Sequence, residues 1–289
     1  MNRLPDAPTH QPVALRGDYS QAAADYSVAQ QWDRYSSEDH AIWQTLYARQ
    51  IQLIDRYAAP EFVTGTRALN ASPQRIPRIE ETNEVLDRAT GWQIVPVPGL
   101  IPEEHFFAHL AQKRFPVTVW IRKPEELDYL VEPDIFHDFF GHVPLLTNPI
   151  FAQFMQAYGR AGPKAVAAGS LKMLARLYWY MVEFGLIRTP QGLRVYGAGI
   201  LSSKGETVYS VENSKPHRIR FALERVMRTD YLIDDFQQTY FVIDSFEQLF
   251  RAAYDTDFAP IYARFRGQPA ISPDQVLPTD ELVINDRSE

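Results

Sequence analysis

Two histidines and a distant glutamate are the side chains of this sequence best suited to metal chemistry. His137 and His142 stand in the run Glu132-Pro133-Asp134-Ile135-Phe136-His137-Asp138-Phe139-Phe140-Gly141-His142-Val143-Pro144. Pro133 suits a first helical turn and Pro144 stops the helix, so His142 falls at its C-terminal end, where Gly141 loosens the backbone. Five residues along an ideal α-helix leave roughly 140° between side chains. The two imidazoles therefore converge only if that helix end frays. Spacing alone favours a plainer reading, a core histidine followed by one that complements the helix dipole. Glu183, in Tyr178-Trp179-Tyr180-Met181-Val182-Glu183-Phe184-Gly185, ends a helical face that also carries Lys172, Arg176, Trp179 and Tyr180. A carboxylate at the aromatic end of that face is costly to ionise unless a cation compensates it. Two imidazoles and a carboxylate would make a facial triad that leaves positions on a ferrous ion open to oxygen and a reductant; zinc fits the same donors.

Other candidates carry less. His105 and His109 share one side of a helix by i, i+4 spacing, but Phe106, Phe107 and Leu110 form the apolar stripe there and leave the histidines on its flank. The glycines of Tyr196-Gly197-Ala198-Gly199 invite comparison with a dinucleotide loop, yet Ser202 stands where the third glycine is needed and no Walker lysine spacing occurs. The segment reads as a loop whose glycines let the backbone approach a ligand.

The remainder of the chain sets limits on partners. Of 289 residues, 29 are Lys or Arg and 36 Asp or Glu, for a net charge of −7. No basic block offers a footprint for nucleic acid or an anionic membrane. Cysteine is absent, which excludes disulfides, thiolate sites and a cysteine nucleophile and fits a reducing cytoplasm. Any metal must be held by His and carboxylates. Neither a secretory signal nor a transit peptide is visible at the start, so the expected place of action is the cytoplasm. The apolar tract from Leu171 to Ile187 is interrupted by Lys172, Arg176 and Glu183 and reads as a core helix rather than a membrane span.

The elements that must position these groups are mostly helical. Ser36 to Tyr57 carries Ile42, Trp43, Leu46, Tyr47, Ile51 and Ile54 at helical spacing behind a serine N-cap. Further helices are predicted over 59–69, 78–90, 102–112, 133–143, 148–160, 166–187, 217–228 and 245–265. Short strands are predicted over 92–97, 117–121, 193–196, 207–211 and 239–243. The fold class is mainly α, with short β-ribbons on one helical domain over 21–265, a loose Pro-containing arm over 1–20 and an irregular tail over 266–289.

Taken together, these segments resemble the tetrahydropterin-dependent aromatic amino acid hydroxylases, above all the short bacterial phenylalanine 4-hydroxylases. Glu132-Pro133-Asp134 with His137, Gly141-His142-Val143-Pro144, Tyr178-Trp179 with Val182-Glu183-Phe184-Gly185, and Tyr196-Gly197-Ala198-Gly199 with Ser202-Ser203 follow in the family's order and spacing. The resemblance implies that His137, His142 and Glu183 are iron ligands. It implies that Gly99, Leu100, Ile101 and Phe106 bind and stack the pterin, with Ala175, Tyr178 and Asp138 near it. Arg122 matches the arginine that holds the substrate carboxylate, oriented by Asp134. Pro133, Trp179, Phe184, Gly199 and Ser202 match residues around the substrate, Ser202 also orienting a ligating histidine. Asp138 and Leu130 depart from the animal members, which carry Glu and Thr.

The implied reaction converts L-phenylalanine to L-tyrosine with Fe(II), a tetrahydropterin and O2, in a monomer without an animal-type regulatory domain. Val242 is aligned with an acidic residue of tyrosine-hydroxylating relatives and Trp179 with a Phe of tryptophan-hydroxylating ones, and both point to phenylalanine. The alternatives are a tryptophan hydroxylase of the same family, a His/His/Glu zinc hydrolase, or a non-catalytic helical partner protein.

Overall fold

A computed structural model of the chain describes residues 16–128, 130 and 132–284. Helix α1 (Ser37–Tyr57) starts with a capping box in which Ser36 Oγ accepts from Asp39 N–H while Asp39 accepts from the Ser36 amide. Helices α2 (Pro60–Leu69), α3 (Ile79–Thr90) and α4 (Glu103–Ala111) follow where the periodicity puts them. Between them β1 (Gln93–Val97) pairs in parallel with β2 (Arg114–Thr118). The second strand lies three residues earlier than its Val and Ile content suggests, because Arg114 must pair with Gln93 for Phe115 and Val117 to point into the core.

The long helix α5 (Pro149–Ala167) begins on an Asn148 cap and continues through Pro163. Gly169, at φ +61°, ends it in the left-handed conformation that a side chain resists, and α6 (Leu171–Tyr178) starts at once. The single helix expected over 166–187 is thus two pieces, and its last residues are a strand, β3 (Leu186–Thr189). β3 pairs antiparallel with β4 (Gly192–Val195) and parallel with β6 (Thr239–Ile243), and β5 (His217–Arg220) closes the order β4-β3-β6-β5. β5 is four residues long with Ile219 its one buried side chain, too short a pattern to separate from the helix that follows it, α9 (Leu223–Arg228).

Two further expectations fail for identifiable reasons. Residues 207–211 are not a strand but part of α8 (Lys204–Glu212), which Ser203 caps; the β-branched run there hides a helical period, with Thr207, Ser210 and Val211 buried at i, i+3 and i+4. Residues 245–265 form two helices, α10 (Phe246–Tyr254) and α11 (Phe258–Phe265), because Asp257 caps a new start. A short α7 (Ala198–Leu201) precedes α8.

Aromatic side chains fill the core under the metal-candidate segment. Trp43 of α1 meets Phe136 edge-on at 5.4 Å, Phe136 stacks on Phe140 at 5.0 Å, and Phe62 meets Phe140 at 5.9 Å. Each such pair adds about 0.5–1.5 kcal/mol beyond area burial. Residues 16–20, expected to be loose, are tied down: Arg16 pairs with Glu126, and Tyr19 Oη donates to the Leu100 carbonyl at 2.8 Å. Parts of the tail are tied down too. Asp280 pairs with buried Arg225 at 2.9 Å and the Val283 amide donates to Arg218 O at 2.7 Å, while Ile284 is exposed.

Candidate active site

Both donor-bearing segments are wound as π-helix, His137–His142 at the end of the first run and Trp179–Glu183 as the continuation of α6. In a π-turn the backbone bond runs from residue i to i+5, so residue i+5 sits over residue i. The winding itself therefore brings His142 over His137, with ring centroids 5.1 Å apart. The fraying expected from the sequence is not needed. In the second turn the Phe184 amide donates to Trp179 O at 3.0 Å, closing the same kind of ring just after Glu183.

The three side chains meet at one point. His137 Nε2 lies 3.3 Å from His142 Nε2 and 3.5 Å from Glu183 Oε2, and His142 Nε2 lies 3.2 Å from Glu183 Oε1. Such spacings suit donors roughly 2.0–2.2 Å from a shared ion. Among the described residues this is the His/Asp/Glu cluster able to hold a metal. The tautomer of His137 is set from behind: Ser202 Oγ donates to Gly199 O at 3.3 Å and so accepts from His137 Nδ1–H at 2.8 Å, which leaves the Nε2 lone pair facing the centre. The Gly199 amide donates to the Glu183 carboxylate. The donor set thus fits a divalent metal that accepts nitrogen and oxygen ligands.

The electrostatics agree. Burial, only partly offset by the Glu183 charge, pushes His137 down to about 4, so it is neutral at pH 7, the form a metal donor needs. Burial also opposes charge on His142 and Glu183, but their mutual attraction and hydrogen bond outweigh it, raising His142 and lowering Glu183. The carboxylate is therefore ionised and turned toward positive charge. Asp138, buried with Thr118 N–H on its Oδ2 at 2.8 Å, is pushed up to about 7 by burial.

Around this centre stand the other residues singled out in the sequence. Asp134, fully buried, accepts from Arg122 Nε at 2.8 Å and Nη2 at 2.9 Å and from the His137 amide at 3.0 Å. One carboxylate thus fixes both the guanidinium and the first π-turn, and Arg122 Nη1 makes no hydrogen bond among the described residues. Phe106 meets Tyr178 edge-on at 5.5 Å, and Tyr178 lies 6.4 Å from the His142 ring. Ala175 sits one turn before Tyr178, half-buried like Pro133 and Ile101. Gly99 closes on Glu132, where a Cβ would lie 2.7 Å from Oε1, and Leu100 is 52% exposed. Phe184 packs against Trp179 at 5.0 Å. Leu130 is half-buried and makes no hydrogen bond among the described residues.

The other histidine pair is spent elsewhere: His109 Nε2 bonds the Asp25 carbonyl at 2.8 Å, and His105 lies against Tyr26 at 4.8 Å. Val242 is 1% exposed in a strand paired on both sides, and besides Phe184 the residues that meet Trp179 are Tyr231 and Gln237. Neither was singled out in the sequence. Gly141 and Gly197, read in the sequence as loosening a helix end and allowing close backbone approach, are held by packing within the protein: a Cβ would lie 2.8 Å from Ala198 O at Gly141 and 2.4 Å from Glu183 O at Gly197.

Residues 7–258 match the family model described as biopterin-dependent aromatic amino acid hydroxylase. The chain belongs to this family of hydroxylases. It is accordingly a pterin-dependent enzyme of mainly helical fold. Curated relatives include a phenylalanine-4-hydroxylase of Chromobacterium violaceum, 54% identical over 98% of this chain and 93% of that one, and one of Ralstonia nicotianae, 56% identical over 90% and 82%. A crystal structure of the Chromobacterium violaceum hydroxylase with iron and phenylalanine bound matches this hydroxylase with a TM-score of 0.88 at 53% identity, covering 91% of this chain and 96% of that one. A cobalt-bound form of the same relative matches with a TM-score of 0.90, over 91% and 95%.

Proposed function

We propose that this chain converts L-phenylalanine to L-tyrosine at ferrous iron held by His137, His142 and Glu183, with a tetrahydropterin as reductant and O2 as oxidant. The observation that carries the reading is the meeting of those three donors at 3.2–3.5 Å from one another, in a chain 53% identical to a hydroxylase crystallised with iron and phenylalanine. Bound iron and reduced pterin supply the redox chemistry, two pterin electrons allowing one atom of O2 to enter the aromatic ring while the other is reduced.

The chain's own part is placement. Ser202 keeps the proton of His137 on Nδ1, so the ligand needs no deprotonation. Arg122 holds the substrate carboxylate through Nη1, the guanidinium nitrogen that Asp134 leaves free, a charge-assisted contact of fixed direction. Trp179 and Phe184 flank the substrate ring, with Pro133, Gly199 and Ser202 beside it. Phe106 offers its face to the flat pterin, while backbone groups of Gly99, Leu100 and Ile101 bond its polar edge and Tyr178, Ala175 and Asp138 complete that side. Side-chain exposures of 18% for His137, 5% for His142 and 12% for Glu183 keep bulk water from the centre. No side chain has to act as a general base. The reading places the reaction in the cytoplasm, where iron and pterin stay reduced, and in a monomer.

Metal-free protein given Fe(II) or Zn(II), tetrahydropterin, O2 and competing phenylalanine, tyrosine and tryptophan tests this. Tyrosine formed only with iron and pterin is the expected result; zinc-dependent hydrolysis, or no metal uptake, overturns it. His137→Ala, His142→Ala and Glu183→Ala should each reduce iron-dependent turnover to background, while His105→Ala leaves it at the parent level.

A further inference from the structure

Trp179 is gripped from outside the aromatic pocket by residues that neither the family motifs nor the metal centre includes. Tyr231 stacks on its indole, with centroids 4.2 Å apart and planes 15° apart. The indole Nε1–H donates to Gln237 Oε1 at 3.4 Å. Gln237 is 1% exposed, and its side chain has little freedom of its own. The same Oε1 accepts from the Leu232 amide at 3.2 Å, and Nε2 donates to the Leu232 carbonyl at 2.7 Å, a two-point clasp across one turn of chain. The Gln237 amide donates to Glu206 Oε1 at 3.2 Å, and the Tyr240 hydroxyl donates to that same oxygen at 2.7 Å. On its inner edge Trp179 packs against Phe184, whose Cζ lies 3.0 Å from the place a Cβ on Gly199 would take.

We infer that Gln237, clasped to Leu232 and anchored by Glu206, is the positioning residue that fixes the Trp179 indole and so sets the width of the aromatic pocket, favouring one ring over the two of tryptophan. This rests on the reading of Trp179 as a pocket wall given under Proposed function. An indole must satisfy its N–H when it is removed from water, and a single acceptor in a fixed place selects one of its rotamers. Stacking on Tyr231 alone would allow the indole to slide or flip in its plane. The clasp removes that freedom, because the Gln237 acceptor is held by groups that do not belong to the pocket.

The test is Gln237→Met, which keeps the volume and gives up the amide, assayed as iron- and pterin-loaded enzyme with phenylalanine and tryptophan. KM for phenylalanine should rise about tenfold, and the preference for phenylalanine over tryptophan in kcat/KM should fall about tenfold, the scale of one net hydrogen bond. KM for the pterin and the iron content should stay at parent values, and the near-UV circular dichroism of the Trp179–Tyr231 pair should be lost. In a Trp179→Phe background, which has no indole N–H, Gln237→Met should no longer change the preference. Thr239→Val is the structural control: Thr239 is fully buried, its hydroxyl donates to Pro273 O, and the variant should lose stability without a change of preference. If Gln237→Met does not fold, Gln237→Leu, which likewise removes the acceptor, carries the same expectation. A preference and KM unchanged in the folded variant, or an equal change in Thr239→Val, overturns the inference. If the parent hydroxylates no aromatic amino acid, the proposed function falls instead, and the dichroism decides the clasp: loss of the band supports it and retention overturns it.

Discussion

Ser202 shows how little the ligands alone explain. Its hydroxyl sits between His137 Nδ1 and the Gly199 carbonyl, so a residue 65 positions from His137 chooses which imidazole nitrogen is free. Ser202→Ala removes that choice without touching the donors. Fe(II) or Co(II) affinity, read by competition with a chelator, should fall about 10–100-fold; an unchanged affinity would show that His137 is oriented by packing alone. Arg122 and Asp134 make the same point on the side proposed for substrate, since one buried carboxylate orients both the guanidinium and the His137 backbone.

At the scale of elements, the decisive objects are the two π-turns and the short glycine-containing segment that packs on both. Gly141 of the first turn lies against Ala198, where an added Cβ would come within 2.8 Å of a backbone oxygen and 2.9 Å of a side-chain carbon. Gly141→Ala must separate the turn from α7 or rewind it. It should cost about 1–3 kcal/mol in urea unfolding and should weaken metal binding in step, because His142 is the next residue. Stability loss with full metal affinity would show that the turn moves as a rigid unit. The tail offers a second test at this scale. Arg225 and Asp280 have side-chain exposures of 6% and 4%, so Asp280→Ala strands a buried cation and should cost about 3–5 kcal/mol by the same measurement.

For the molecule as a whole, the prediction concerns pH. Burial pushes the Glu206 carboxyl up to about 7 from 4.5, partly offset by its bonds from Tyr240 and Gln237. Between those two values the folded chain holds a proton that the unfolded chain releases, so stability is greatest below the lower value and falls as pH rises through the upper one. The full loss is at most about 3 kcal/mol. Urea unfolding of parent and Glu206→Gln at pH 5 and pH 8.5 reads it: the parent should lose more stability than the variant over that interval. Asp138 contributes in the same direction to both proteins and cancels in the comparison. Equal slopes would mean that Glu206 ionises without cost.

The sequence by itself determined the helices with an apolar face and a capping residue, such as α1 behind Ser36, because local period and local hydrogen bonding need no distant partner. It also determined the chemistry: with no cysteine, a metal had to fall to His and carboxylate, and the motifs around His137, His142 and Glu183 carried the family. Tertiary structure alone decided how those three meet. An α-helical reading separates residues 137 and 142, and only packing against α7 and the aromatic core favours π winding at both ligand segments. Tertiary structure also made a helix of the β-branched run after Ser203 and a strand of the residues after Gly185, since burial on the right face outweighs intrinsic preference. It brought Gln237 and Tyr231 to Trp179 across more than fifty residues, a contact that no local pattern can announce.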